Sequence, residues 1–239
     1  MTSLPPTPLL PDSFFAPVLA LNEDSLKVRW YMIVIVNLGS LNYADVIPQV
    51  YSHLQAHLLS RLSPNDQYDA VHRIREGLTK AFGIVGAART GNALRTLFTC
   101  TPENLQLKSS PRSTESEEVA IKRGDKFFHR AYDGNPYFKA SDTEEASPDY
   151  FFLVKDIVYG RIFSYDGILD DTTSAFAMVS ALYGMNSPGQ MRNHQIGMLL
   201  NGVDREELVQ MRKLLLELAT FLGVAFRFEP PIVPSLPLK

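Results

Sequence analysis

Cysteine is almost missing from this chain. Cys100 is the single one among 239 residues, so an internal disulfide and a Cys-x-x-Cys redox pair are both excluded. A reducing compartment fits this and is not required by it. An excess of one charge is missing too. The formal net charge of −3 leaves no electrostatic footprint for nucleic acid, and the short basic run Lys122, Arg123, Lys126 is broken by Asp125 and preceded by Glu117 and Glu118. Long hydrophobic runs are missing, for Trp30 to Val36 falls far short of a membrane span. Period-two alternation is scarce, which predicts almost no sheet. Met1 to Pro17 is too rich in proline for a signal peptide. The final Pro-Leu-Lys is not a Ser-Lys-Leu peroxisomal address. Gly83-x-x-Gly86 lacks the Gly-Lys-Ser/Thr ending of a phosphate loop. These absences predict an intracellular, soluble protein without nucleic-acid or membrane partners, and leave cytoplasm and the mitochondrial or peroxisomal matrix open.

What is present is helical. An apolar content of 45% with 21% charge is ordinary for a globular protein of one large or two small domains. Residues 1–24, with Pro5, Pro6, Pro8, Pro11 and Pro17, read as an extended arm whose Leu9, Leu10, Phe14 and Phe15 need cover. Residues 25–105 read as an N-terminal helical half, with helices over Ser25–Leu41, Ala44–Leu59, Ser63 to about Phe82, and Ala88–Phe98. Residues 106–120, rich in Ser, Thr and Glu, read as a linker. Residues 121–226 form a second helical half, with helices over Ile121–Tyr132, Pro148–Ser164, Asp171–Met185, Pro188–Leu200 and Asp204–Leu222. Asp133-Gly134-Asn135-Pro136 and the acidic stretch Asp142–Pro148 are the loops of this half. Residues 227–239 read as an extended tail. A shift of one hundred residues lays Gly77–Leu97 over Ala177–Gly197, a weak repeat that would put Leu94 where His194 stands.

The richest stretch is Ser187 to Leu208. Ser187 with Pro188 and Gln190 has the form of a capping box. Gly202 suits a left-handed C-cap, and Asp204 with Glu207 opens the next helix. Met191, His194 and Met198 share one helix face. A histidine there is either a satisfied core residue or a site residue able to move a proton near neutral pH.

The pattern Gln-x-x-x-His-x-x-Gly-x-x-x-Asn-Gly-Val-x-x-Glu-Glu-Leu resembles the carboxymuconolactone decarboxylase-like family, in its long fungal form. Arg75-Glu76-Gly77-Leu78-Thr79-Lys80, Gly86-Ala87-Ala88-Arg89, and Val158-Tyr159-Gly160-Arg161 with Leu169 and Thr172 extend the likeness over roughly residues 26–224. The resemblance implies an all-α, alkyl hydroperoxidase D-like helical bundle of two halves. It further implies a homodimer or higher oligomer, and a cofactor-free, metal-free lyase acting on a small carboxylated lactone or enolisable carbonyl compound. His194 falls on the family's active-site histidine. Peroxidase members carry Cys-x-x-Cys where Ser187 and Gln190 stand, which excludes a thiol peroxidase cycle. A binding protein without turnover on the same fold is the alternative.

Other candidates each have two readings. Gln190 caps its helix or orients a substrate carbonyl. Glu76 and Lys80, spaced i, i+4, form a surface ion pair or an acid–base pair with Glu76 catalytic and Lys80 binding substrate. Arg89 is an exposed first-turn arginine or binds a carboxylate bidentately. Tyr159 is a core aromatic or faces a pocket. His53, His57, His72 and His129 read as surface residues, and the i, i+4 pair His53/His57 lacks a third metal ligand.

Overall fold

The computed structural model describes residues 6–236. The fold is all-α: helix accounts for 74% of it, with no strand among the described residues. The helices are α1 (Asp12–Leu19), α2 (Asp24–Leu41), α3 (Ile47–His57), α4 (Pro64–Cys100), α5 (Glu117–Tyr132), α6 (Ala140–Ala146), α7 (Pro148–Phe152), a π-helix (Leu153–Phe163), α8 (Asp171–Gly184), α9 (Pro188–Leu200) and α10 (Arg205–Phe221).

The all-round apolar α2 is the centre of the bundle, buried along most of its length between α4 and α8, as expected of a helix without a polar face. The buried polar groups of its C-terminal half are spent on α8. Ser40 donates to the Ala181 carbonyl at 2.6 Å, Asn37 to the Ser180 carbonyl at 2.9 Å, and Ser180 returns a bond to the Ile33 carbonyl at 2.7 Å. A second, smaller aromatic cluster of Phe127, Phe128, Tyr159, Phe163 and Met178 joins α5, the π-helix and α8.

Several boundaries differ from expectation. The arm is not extended throughout. Residues 12–19 form α1, because Phe14 and Phe15 gain a buried aromatic nest against Trp30. Pro5 lies outside the described residues, as do residues 237–239. The two helices expected on either side of residue 85 are present, but they run into one another within α4 at a kink where Gly86 takes φ 77° and breaks the winding. The hundred-residue shift lays Gly86 on Asn186, and both take positive φ. The acidic stretch before Pro148 contains α6 rather than only loop. The expected linker, 106–120, is tied down: Arg112 within it pairs with buried Glu76, and α5 starts at Glu117. The tail docks on α10, with Arg212 donating to the Pro230 and Pro231 carbonyls and Arg205 to Val233 and Pro234. No helix among the described residues is long and apolar enough to cross a membrane.

Candidate functional site

α9 carries His194, and its start and stop fix the helix phase. Pro188 sits in the first turn and Gly202, at φ 86°, follows the end. The expected capping box is not formed. Ser187 has φ −105° and ψ 79°, and its side chain makes no cap bond, because the left-handed Asn186 turns the chain just before it. Gln190 is therefore free of that duty.

α9 meets α5 at Gly197, where any Cβ would collide with the Ala131 carbonyl oxygen. This close approach brings Tyr132, the last residue of α5, to His194. The turn after α5 is pinned as well, with Asn135 donating to the side chain of Asn193 at 3.3 Å. The Tyr132 ring stacks on Phe138 at 3.7 Å between centroids. On the other flank, α5 crosses the π-helix at Gly124, where a Cβ would lie 2.5 Å from Gly160 Cα. That crossing delivers Tyr159.

The result is a chain of three side chains. Tyr159 donates from its hydroxyl to the Tyr132 hydroxyl at 2.9 Å, and Tyr132 Oη lies 3.3 Å from His194 Nε2. Tyr159 has no other acceptor among the described residues, so the donors run from Tyr159 through Tyr132 to Nε2. The imidazole proton then resides on Nδ1. His194 is only 6% exposed, and burial pushes its pKa down to about 4. Burial likewise pushes Tyr132 up to about 12 and Tyr159 well above its usual range. At neutral pH the site holds a neutral imidazole and two intact phenols.

All three line one cavity of about 240 Å³, together with Gln190 and Ser187 at its edge and Gly83 and Ile84 from the kinked α4. Both halves of the chain therefore contribute wall. Most of the remaining lining is apolar or aromatic, including Phe128, Phe138, Phe151 and Phe163, and no lysine or arginine is part of it. On a second side His194 borders a cleft of about 40 Å³ beside Arg130, Asp171 and Asn201.

The remaining candidates lie elsewhere. Glu76 and Lys80 are not a surface pair. They are 2% and 0% exposed, with Nζ 3.6 Å from the carboxylate. Glu76 is held bidentately by Arg112, and Lys80 donates to the carbonyls of Phe163 and Tyr165, both at 2.7 Å. Neither lines the His194 cavity, because these contacts consume their polar atoms. Burial lowers the Lys80 pKa to about 8, Glu76 opposing the shift. Arg89 also falls outside it: its guanidinium donates to the Ser40 carbonyl at 2.5 Å and to Met185 Sδ at 3.3 Å. His53 is no surface residue. It stacks on Phe15 at 4.0 Å, bonds the Tyr31 hydroxyl at 2.7 Å, and has its pKa lowered to about 4 by burial. His72 is also partly buried, and its pKa is lowered by burial. No group of three or more His, Cys, Asp or Glu side chains among the described residues is placed to hold a metal. Burial raises the Cys100 thiol pKa.

Sequence reasoning missed Tyr132. Its only local signal is the run Phe127, Phe128, Tyr132 at helical spacing, ending at a break.

No family model matches the chain, and no solved structure matches it. Two curated fungal proteins are similar to it. Peroxisomal protein 2 of Schizosaccharomyces pombe is 23% identical over 197 residues, covering 82% of this chain and 88% of that protein. Peroxisomal protein 2 of Saccharomyces cerevisiae is 21% identical over 261 residues, covering 86% of this chain and 92% of that protein.

Proposed function

We propose that the protein is a cofactor-free acid–base enzyme of the carboxymuconolactone decarboxylase-like type, acting on a small enolisable carbonyl compound or lactone. The observation that carries this reading is a neutral, buried imidazole at the wall of a cavity, bonded through its Nε2 to a pair of phenols. In the reaction the substrate displaces the Tyr132 hydroxyl from Nε2. Nε2 takes the proton from the carbon beside the carbonyl. The C–H electron pair becomes the enolate double bond and the carbonyl pair moves onto oxygen. Tyr132, supported by Tyr159, then donates to that oxygen, and the Gln190 amide supplies a second donor. Burial makes His194 a weak base toward water. The enolate forming beside it is the counter-charge that makes proton transfer favourable.

The cavity lining narrows the substrate. A carboxylate would meet only neutral donors, since Arg89, Lys80 and Glu76 are committed elsewhere. An uncharged or singly polar carbonyl compound with an apolar body suits it better. Ser187 and Gln190 stand where the resemblance places the peroxidase cysteines, and both line this cavity, so thiol peroxidase chemistry has no thiol there.

The test is a panel of small β-keto esters and unsaturated lactones in D₂O, followed by proton NMR. Enzyme-dependent deuterium uptake at the enolisable carbon is expected. Ligands that perturb the cavity aromatics without any exchange would mark a binding protein and end the enzymatic reading.

The peroxisomal location in the relatives' names extends to this chain under the same proposal, and a fluorescently tagged copy dispersed in the cytosol would contradict it. A twofold dimer is also expected, since Phe98, Phe152 and Ile232 are 58%, 52% and 76% exposed. A monomeric mass by light scattering would refute it.

A further inference from the structure

The π-helix is the least ordinary element of the molecule. π-winding occurs mostly as single turns and often at functional sites, whereas this segment runs for 11 residues. Its end should leave a row of unpaired carbonyls, as helix ends do. Side chains take up all four of the last ones. Gly160 O accepts from Ser164 Oγ at 2.9 Å and from Arg123 at 3.3 Å. Arg161 O accepts from Arg112 Nε at 3.2 Å. Ile162 O and Phe163 O accept from Lys80 Nζ at 3.4 and 2.7 Å.

Three cations from three separate elements thus converge on one helix terminus. Lys80 comes from α4, Arg112 from the segment between α4 and α5, and Arg123 from α5. Three carboxylates surround them: Glu76 binds Lys80 and Arg112, Glu115 binds Arg123, and Asp166 lies 3.9 Å from Arg123 Nε. The cations themselves, and not their carboxylates, touch the carbonyls at the negative end of the helix dipole. Tyr165, just beyond, is covered by the Arg112 guanidinium at 4.1 Å from its ring centre.

We infer that Lys80, Arg112 and Arg123 are positioning residues for the His194 site: their cage fixes the end of the π-helix and so sets the Tyr159 hydroxyl against Tyr132. Tyr159 is one residue before the first caged carbonyl, and its own carbonyl accepts from the Ser164 amide at 3.1 Å. Loss of the cage lets the segment relax toward α-helical winding. Gly160 stays pressed on α5, so the relaxation turns Tyr159 away from Tyr132. Tyr132 then loses its donor and His194 Nε2 loses the oriented hydroxyl that fixes its tautomer.

The inference rests on the Tyr159–Tyr132–His194 chain and not on turnover, so its test needs no substrate. The readout is the imidazole ¹⁵N spectrum at pH 7 of histidine-labelled protein, with His194 assigned through His194→Asn. The unaltered protein should show His194 with its proton on Nδ1. Lys80→Met leaves Glu76 and Arg112 as a balanced pair, and Arg123→Gln removes a cage member that is 17% exposed. In both, His194 should shift toward the Nε2–H tautomer. His53, buried in the N-terminal region against Tyr31, should keep its spectrum and so report general loosening if it occurs. Arg123→Lys should restore the original His194 signal. If Lys80→Met does not fold, Arg123→Gln and its lysine counterpart carry the test alone. Folded variants with an unchanged His194, a parallel change at His53, or failure of Arg123→Gln to fold would each overturn the positioning role. A missing deuterium exchange in the unaltered protein would sink the enzymatic proposal and leave this one standing.

Discussion

Two buried polar clusters meet the π-helix, and they differ in what is left over. In the cluster of Glu76, Lys80 and Arg112, each charged group has its partner: a carboxylate held by two cations, and cations shared with backbone carbonyls. Glu76 and Arg112 also border an open cleft of about 430 Å³, but their polar atoms are already engaged by one another and by backbone carbonyls. In the cluster of Tyr159, Tyr132 and His194, the side chains are neutral, and the chain of bonds ends on an imidazole at a cavity wall. Charge alone would have pointed to the first as the site of chemistry. Under the proposed function, saturation makes the first architecture, and incompleteness leaves the second free to meet a substrate. Their separation is also electrostatic. With the ion pairs closed on themselves, the cavity stays neutral, and burial alone keeps His194 unprotonated.

The sharpest way to break this comparison is to unbalance the closed cluster. Glu76→Gln leaves Lys80 and Arg112 buried without their counter-charge, and the expected loss is about 3–5 kcal/mol of unfolding free energy. Urea denaturation measures it, and a loss below about 1 kcal/mol would mean that the pair is screened as a surface pair is. His194→Asn, by contrast, keeps the volume and some hydrogen bonding, so its stability at pH 7 should change far less.

Acid should expose the open cluster next. His194 has a folded pKa near 4 against about 6.5 when unfolded. Between those values the unfolded chain binds the extra proton. The stabilising contribution is therefore complete above about pH 6.5 and is lost as pH falls through 4. By linkage this is worth roughly 3 kcal/mol. Denaturation midpoints of His194→Asn should fall less steeply over that window, with His53 and His72 contributing to the slope that remains. An identical slope in the variant would place the His194 imidazole in water.

A geometric wedge comes third. Gly197→Ala puts a methyl into the Ala131 carbonyl, and α9 must move away from α5 at a cost of about 1–3 kcal/mol. The Tyr132–His194 bond should weaken with it, seen as a change in the His194 ring resonances. A crystal structure of the variant with α9 in place would contradict this. The smallest effect is expected for Tyr159→Phe, which removes one hydroxyl and about 0.5–1.5 kcal/mol. Calorimetry would check the figure, and the same variant should slow exchange at the substrate carbon.

How much of this was legible in the sequence depends on how local the cause is. The all-α class and most helices were legible, because periodicity and caps such as Ser63 and Asp204 act within a few residues. The inward phase of His194 was legible for the same reason, bracketed by Pro188 and Gly202. Tyr132 was not, since its role comes from a crossing at Gly197, 65 positions along the chain. Lys80 looked like half of a surface pair because the carbonyls it serves are more than 80 residues away, on a π-helix whose winding leaves no familiar periodic trace. The Ser187 capping box was plausible locally and was overruled by the left-handed turn at Asn186.

The central claim is that chemistry belongs to the open cluster. Its most direct test is the rate of deuterium uptake catalysed by folded His194→Asn protein, on whichever compound the unaltered protein exchanges. A fall of the order of 10²–10⁴-fold, with cooperative unfolding retained, is the result expected when a general base is removed. Exchange at the original rate in a folded His194→Asn protein would contradict the account.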